Sequence, residues 1–270
     1  MSTSASQEAP NGRVVDLWVS EAVLSWAPTF SSYIRRDDHP GRRQHEVIRH
    51  VDGLLVGNPS RDTLADAVED INKAIDQRIN RLNENYSLRE LRAAFPGGDK
   101  YPEILAALGV IRPLMIEEIN AIRNPVNHED ADPPGLDTCK RHAEFGWYFL
   151  RSTDVLTRVK TLQVTLEESA RTRGASTVAQ GRVVMRIEPS KGWATTWQAS
   201  ISAGLVQDVP TRAHVRVRVT AEEANSIIIP GGGIVANTTG NIVVFSAEPL
   251  WMPEQRRVIA ELVFRVLADV

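Results

Sequence analysis

Apolar residues recur at three- and four-residue spacing through the first 160 positions, then at every second position beyond about residue 180, so the hydrophobic period itself divides the chain. Val15, Trp18, Val19, Ala22, Val23 and Trp26 fall on one helical stripe until Pro28 interrupts it. A second helix is predicted from Arg42 to Leu55, with Val47, Val51 and Leu54 on one face. After Gly57-Asn58-Pro59, Ser60 is placed as the N-cap of a third. There Leu64, Val68, Ile71, Ile75, Ile79 and Leu82 make the longest regular stripe of the chain. Beyond the Pro96-Gly97-Gly98 loop, Ile104, Leu105, Leu108, Ile111, Met115, Ile119 and Ile122 continue the pattern. Pro113 should kink or divide that segment and Pro125 should end it. Asp137 is expected to cap a last helix burying Ala143, Trp147, Leu150 and Val159.

The small, polar stretch Ser169–Gln180 reads as a linker. After it Val183, Met185 and Ile187 alternate with Arg182 and Arg186, and Val215, Val217 and Val219 alternate with His214, Arg216 and Arg218. The segment Arg257–Leu267 fits strand and helix about equally, and its Val258, Ile259, Val263, Phe264 and Val266 tip the reading to strand. The expected class is α+β. An N-terminal α-helical bundle over residues 13–166 precedes a linker at 167–180 and a small antiparallel β sandwich or barrel at 181–270, with residues 1–12 as a tail.

Composition narrows the class of function. Apolar content of 42% and charged content of 24% fit a globular protein. No secretory leader pattern and no run of about 18 apolar residues is found, so neither secretion nor membrane spanning is expected and the cytoplasm is the default. The lone Cys139 excludes an internal disulfide and an all-cysteine metal site. A net charge of −3 gives no general attraction for nucleic acid, so any contact with RNA must use a local patch.

The chemistry-bearing residues lie at a helix end. Arg123 and Asn124 close the apolar segment before Pro125, and His128 follows shortly after. A guanidinium that keeps its charge can hold two phosphate oxygens, and an imidazole that titrates near neutrality can move a proton; together they suffice to cleave RNA without a metal. The 2′-hydroxyl would attack the adjacent phosphorus, leaving a 2′,3′-cyclic phosphate and a 5′-hydroxyl, with Asn124 orienting phosphate or imidazole. Arg43 and His50 match the same loose spacing inside an unbroken helix and read as a solvated basic face.

An apolar helix ending in Arg-Asn, a short break, His128-Glu129 and a final amphipathic helix resemble the HEPN domain family, over roughly residues 15–160 in architecture. The resemblance implies a helical bundle that dimerises side by side, bringing two Arg/His pairs into one cleft. It also implies a metal-independent, cofactor-free endoribonuclease of toxin–antitoxin or antiphage defence, with RNA as substrate and an antitoxin or trigger protein as a further partner. Arg123, Asn124 and His128 then take the catalytic roles; apart from the resemblance, Glu118 and Glu129 are candidates to tune the histidine, with a solvated carboxylate the commoner reading of each. The row His214, Arg216, Arg218 is a candidate to track a phosphate backbone, and Trp193, Trp197 and Trp251 are candidates to stack on bases or to fill a core. The competing reading is a non-catalytic module that dimerises through its helical half and binds a protein or ligand with its β half.

Overall fold

The computed structural model describes residues 14–35, 42–95, 100–126, 132–168, 181–207, 214–220, 238–239 and 242–268. The chain forms two compact units, each assembled from three separate stretches of sequence. One comprises Met1–Ser31, Gln163–Arg186 and Thr195–Trp251, the other Ser32–Leu162, Ile187–Ala194 and Met252–Val270.

An open sheet makes up most of the first unit, and residues 32–35, 159–162, 187–188 and Ala194 at its strand ends belong by these bounds to the second. The strands are β1 (Val14–Ser20), β2 (Ala27–Arg35), β3 (Val159–Glu167), β4 (Arg182–Glu188), β5 (Ala194–Ser202), β6 (Val206–Gln207), β7 (His214–Thr220), β8 (Thr238–Thr239) and β9 (Ile242–Leu250). They lie in the order β2-β3-β4-β5-β9-β7-β1-β6, with β8 also pairing β9. β1 and β7 are antiparallel over their full lengths, from Val14 opposite Thr220 to Ser20 opposite His214. Val215, Val217 and Val219 are buried and alternate with exposed Arg216 and Arg218, as the period of two requires. β2 carries Pro28 and takes an edge of the sheet, where a residue without an N–H removes no ladder bond. The backbone N–H of Glu168 donates to the Gly181 carbonyl at 2.9 Å, joining the end of β3 to the start of β4, and the Ser169–Gln180 stretch lies outside the described residues.

The second unit is helical. Its helices are α1 (Arg42–Leu54), α2 (Arg61–Tyr86), α3 (Leu88–Leu91), α4 (Tyr101–Ala107), α5 (Pro113–Val126), α6 (Leu136–Arg158) and α7 (Pro253–Ala268). The central member is α2, which packs on α1, α5 and α6. Ser60 caps it by accepting from the Thr63 N–H at 3.2 Å, and Val68, Ile71, Ile75, Ile79 and Leu82 are buried along its stripe. Each such side chain contributes about 1.5–3 kcal/mol of transfer free energy. Pro113 divides α4 from α5 by standing at the first turn of α5, where its missing N–H has no helical partner to lose.

This architecture overturns the expectation of an N-terminal helical bundle followed by a closed or sandwiched β domain. Among the described residues two strands come first, six α-helices lie between β2 and β3, and a helix follows the last strand. The sheet is open, with β2 and β6 at its edges. The stripe Val15–Trp26 is instead β1, a 3-10 turn (Glu21–Ser25) and its cap Trp26, with β2 starting just after it. A strand followed directly by a 3-10 turn carrying Ala22 and Val23 reproduces helical spacing by coincidence, while Leu17 and Val19 bury at strand period. The strand expected at Arg257–Leu267 is α7. Pro253, at the helix start, is followed by Gln255, whose side chain accepts from the Met252 N–H at 3.1 Å, a start signal that outweighs the β-branched content.

A basic cleft as the candidate functional site

The site begins with close packing. Gly146 on α6 faces Ile48 on α1, and a Cβ at residue 146 would lie 3.1 Å from Ile48 Cδ1, so the glycine lets the two helices approach closely. Along this contact both helices carry charged residues at three- and four-residue intervals: Arg42, His45, Glu46, Arg49 and Asp52 on α1, and Arg151, Asp154 and Arg158 on α6. These, with Trp147 and Thr157, line a cleft of about 470 Å³.

Asp154 organises its floor. His45 Nε2 lies 3.0 Å from both Asp154 oxygens, and Arg78 Nη2 donates to Asp154 Oδ1 at 2.9 Å. Arg78 is fully buried on α2 and also donates from Nη1 to the Leu150 carbonyl at 2.8 Å and to Thr153 Oγ1 at 2.9 Å. Burial pulls its pKa below the usual arginine value, and the Asp154 carboxylate works against that shift. Asp154 is therefore met from two sides, and its negative charge is largely cancelled.

The remaining cations are unequally engaged. Arg42 pairs with Glu46 at 2.9 Å, and Arg151 reaches Asp154 only at 4.0 Å. Arg49 and Arg158 have no acidic partner among the described residues. Trp147 is 43% exposed beside the cleft and meets Tyr148 edge-on, with ring centroids 5.0 Å apart. The helical spacing predicts it in the core. Gly146, Phe149 and Leu150 hold the buried face of α6 instead, leaving Trp147 on the rim. An array of guanidinia with a neutralised carboxylate and an aromatic edge can bind oxyanions attached to a planar group.

The residues singled out in the sequence fall elsewhere. The backbone of Arg123 and Asn124 forms the last turn of α5, which runs through Pro125 to Val126. Their side chains, and His128 and Glu129 entirely, lie outside the described residues. Glu118 on the same helix faces His142 Nδ1 at 3.3 Å and Arg141 at 3.8 Å. Burial pushes the pKa of His142 down, against the attraction of Glu118. His214, Arg216 and Arg218 share one face of β7, where Arg216 Nε donates to Asp16 Oδ2 at 3.0 Å and Arg218 lies 3.8 Å from the same carboxyl group. Trp193 and Trp197 are fully buried, and Trp251 donates from Nε1 to Thr195 Oγ1 at 3.1 Å. Arg43 and His50 are exposed on α1.

Among the described residues no group of three or more His, Cys, Asp or Glu side chains gathers to hold a metal ion, and no helix is long and apolar enough to cross a membrane. Cys139 is buried, donates to the Pro134 carbonyl at 3.3 Å and has its pKa raised by that burial. Comparison with protein-family models, with curated proteins and with solved structures returns no match.

Proposed function

We propose that this protein is a metal-independent endoribonuclease of HEPN type, in which Arg123, Asn124 and His128 act on the scissile phosphate. The observation that carries this reading is the position of Arg123 and Asn124 in the turn of α5 that closes at Val126, with His128 following in the sequence, outside the described residues, before α6 starts at Leu136. A guanidinium at a helix terminus stabilises charge developing on the non-bridging oxygens, and the imidazole transfers the proton between the 2′-hydroxyl and the leaving 5′-oxygen. One imidazole cannot readily serve as base and acid in the same step, so the reading includes a two-fold homodimer that supplies a second copy. Toxin–antitoxin or antiphage defence is the setting it implies, with His214, Arg216 and Arg218 as an accessory phosphate contact.

The test is RNA cleavage by the purified chain in EDTA, with the product ends identified. Arg123→Ala and His128→Ala should each abolish cleavage and leave the circular dichroism spectrum unchanged, and the products should carry 2′,3′-cyclic phosphate. Activity that disappears on chelation, or that survives both substitutions, would overturn the reading. One observation favours a non-catalytic interaction module instead: exposed Val56, Trp147 and Tyr148 border a second groove that also carries Asp52, Lys140 and Glu144, a mixed apolar and charged surface suited to a protein partner. In that case both substitutions leave partner binding intact and no RNA is cut.

A further inference from the structure

We infer that the cleft between α1 and α6 is a nucleotide site, with Arg49 and Arg158 holding phosphate oxygens and Trp147 stacking on the base. This site is separate in sequence and chemistry from the Arg123/His128 pair and does not depend on the nuclease reading.

Four guanidinia line one concave surface, from Arg42 and Arg49 on α1 and Arg151 and Arg158 on α6. Packing does not require them there, because α1 buries Ile48 and Val51 and α6 buries Phe149 and Leu150 on their other faces. Like charges held together in a concavity repel one another, and an anionic ligand relieves that repulsion. Three acids share the cleft with the four guanidinia, Glu46, Asp52 and Asp154, and among the described residues none of them is ion-paired with Arg49 or Arg158. Glu46 engages Arg42, Asp154 is held by His45 and buried Arg78, and Arg49 and Arg158 retain unspent charge from opposite helices. Planar, always-charged guanidinia suit the tetrahedral phosphate oxyanion, which accepts paired N–H donors from more than one direction.

The rim selects what the phosphate is attached to. Trp147 lies one helical turn from Arg151 on α6, half exposed, and an indole face on the rim of a basic groove is the arrangement on which nucleic acid bases stack. A cleft of about 470 Å³ has room for a nucleotide. The phosphate can belong to a free nucleotide or to the backbone of a single RNA strand.

The probe is a fluorescein-labelled 2′-O-methyl oligouridylate of about ten nucleotides, which lacks the 2′-hydroxyl needed for self-cleavage. Its binding to the full chain is followed by anisotropy at low salt, with ATP and inorganic phosphate as competitors. Saturable binding is expected, weakened at least tenfold by Arg49→Gln and by Arg158→Gln, and unaffected by Arg257→Gln on α7. Trp147→Ala should weaken the oligonucleotide but not competition by inorganic phosphate. Displacement by ATP assigns the site to free nucleotides, and displacement by unlabelled oligonucleotide alone assigns it to a strand.

Absence of saturable binding, equal affinity in the parent and both arginine variants, or equal weakening by Arg257→Gln overturns the inference. A second measurement uses the unaltered chain: phenylglyoxal labelling read by peptide mass spectrometry. Arg49 and Arg158 should be protected by the oligonucleotide, and labelling that is the same with and without it overturns the site even if a variant fails to fold.

Discussion

Arg78 shows what one charged residue can do from inside a helical core. Its guanidinium is out of water and satisfied by a carbonyl, a hydroxyl and a carboxylate, all three on α6. Arg78→Ala removes the partner that neutralises Asp154 and opens a large void, so a loss of about 3–5 kcal/mol is expected in urea unfolding. Asp154→Asn in the Arg78→Ala background should cost much less than in the parent chain, because the stranded charge has gone. His142 gives a pH signature at the same scale. Burial holds its folded pKa below the ordinary value of 6.5, so in the window below 6.5 the unfolded chain binds a proton that the folded chain refuses. Stability should therefore fall as pH drops through that window. His142→Leu should flatten this part of the curve, which unfolding at a series of pH values will read.

At the scale of elements, the junction of α1 and α6 decides the shape of the cleft. Gly146→Ala gains about 1 kcal/mol in helix propensity, whereas forcing a methyl against buried Ile48 costs about 1–3 kcal/mol. Ile48 is fully buried and Ile71 Cγ2 stands 3.5 Å from the same point, so relief by rotation is restricted and net destabilisation is expected. Adding Ile48→Val, which removes Cδ1, should restore most of the loss in a double-mutant cycle. This junction also separates what the sequence displays from what it withholds. The stripe of α2, its Ser60 cap and the Pro113 break are written in local spacing and can be read from it. The facing of His45 and Asp154 joins residues 109 positions apart, and no local period announces it. The signal that was present is weaker: α1 and α6 each carry a charged stripe, which alone is indistinguishable from a solvated surface.

For the whole molecule, the interleaving of two units in one sequence explains why the division into a helical first half and a stranded second half does not describe the fold. A change of hydrophobic period reports the local element, not the unit to which it belongs. The helical unit draws on Ile187–Ala194 and on α7, whose Phe264 sits 4.8 Å from Tyr86 and 6.3 Å from Trp193, ring centre to ring centre. A fragment limited to residues 13–166 would lack Trp193 and Phe264 and so expose Tyr86, along with the surface buried by Ile259 and Val263. It is expected to be poorly soluble or to lack dispersed methyl signals in a proton NMR spectrum, and adding the α7 peptide in trans should improve both. A fragment that is well folded alone would count against this account of the core.

The pairing of β1 with β7 has a consequence for biosynthesis. Val14 finds its neighbour at Thr220, so at ribosomal rates of roughly 5–20 residues per second the segment Val-Val-Asp-Leu-Trp-Val-Ser emerges on the order of 10–40 seconds before the strand that will cover its hydrogen-bonding edge exists. During that interval a sticky, β-prone stretch travels with the nascent chain, a natural client for a holding chaperone and the first place where polysomes crowded with this product would tangle.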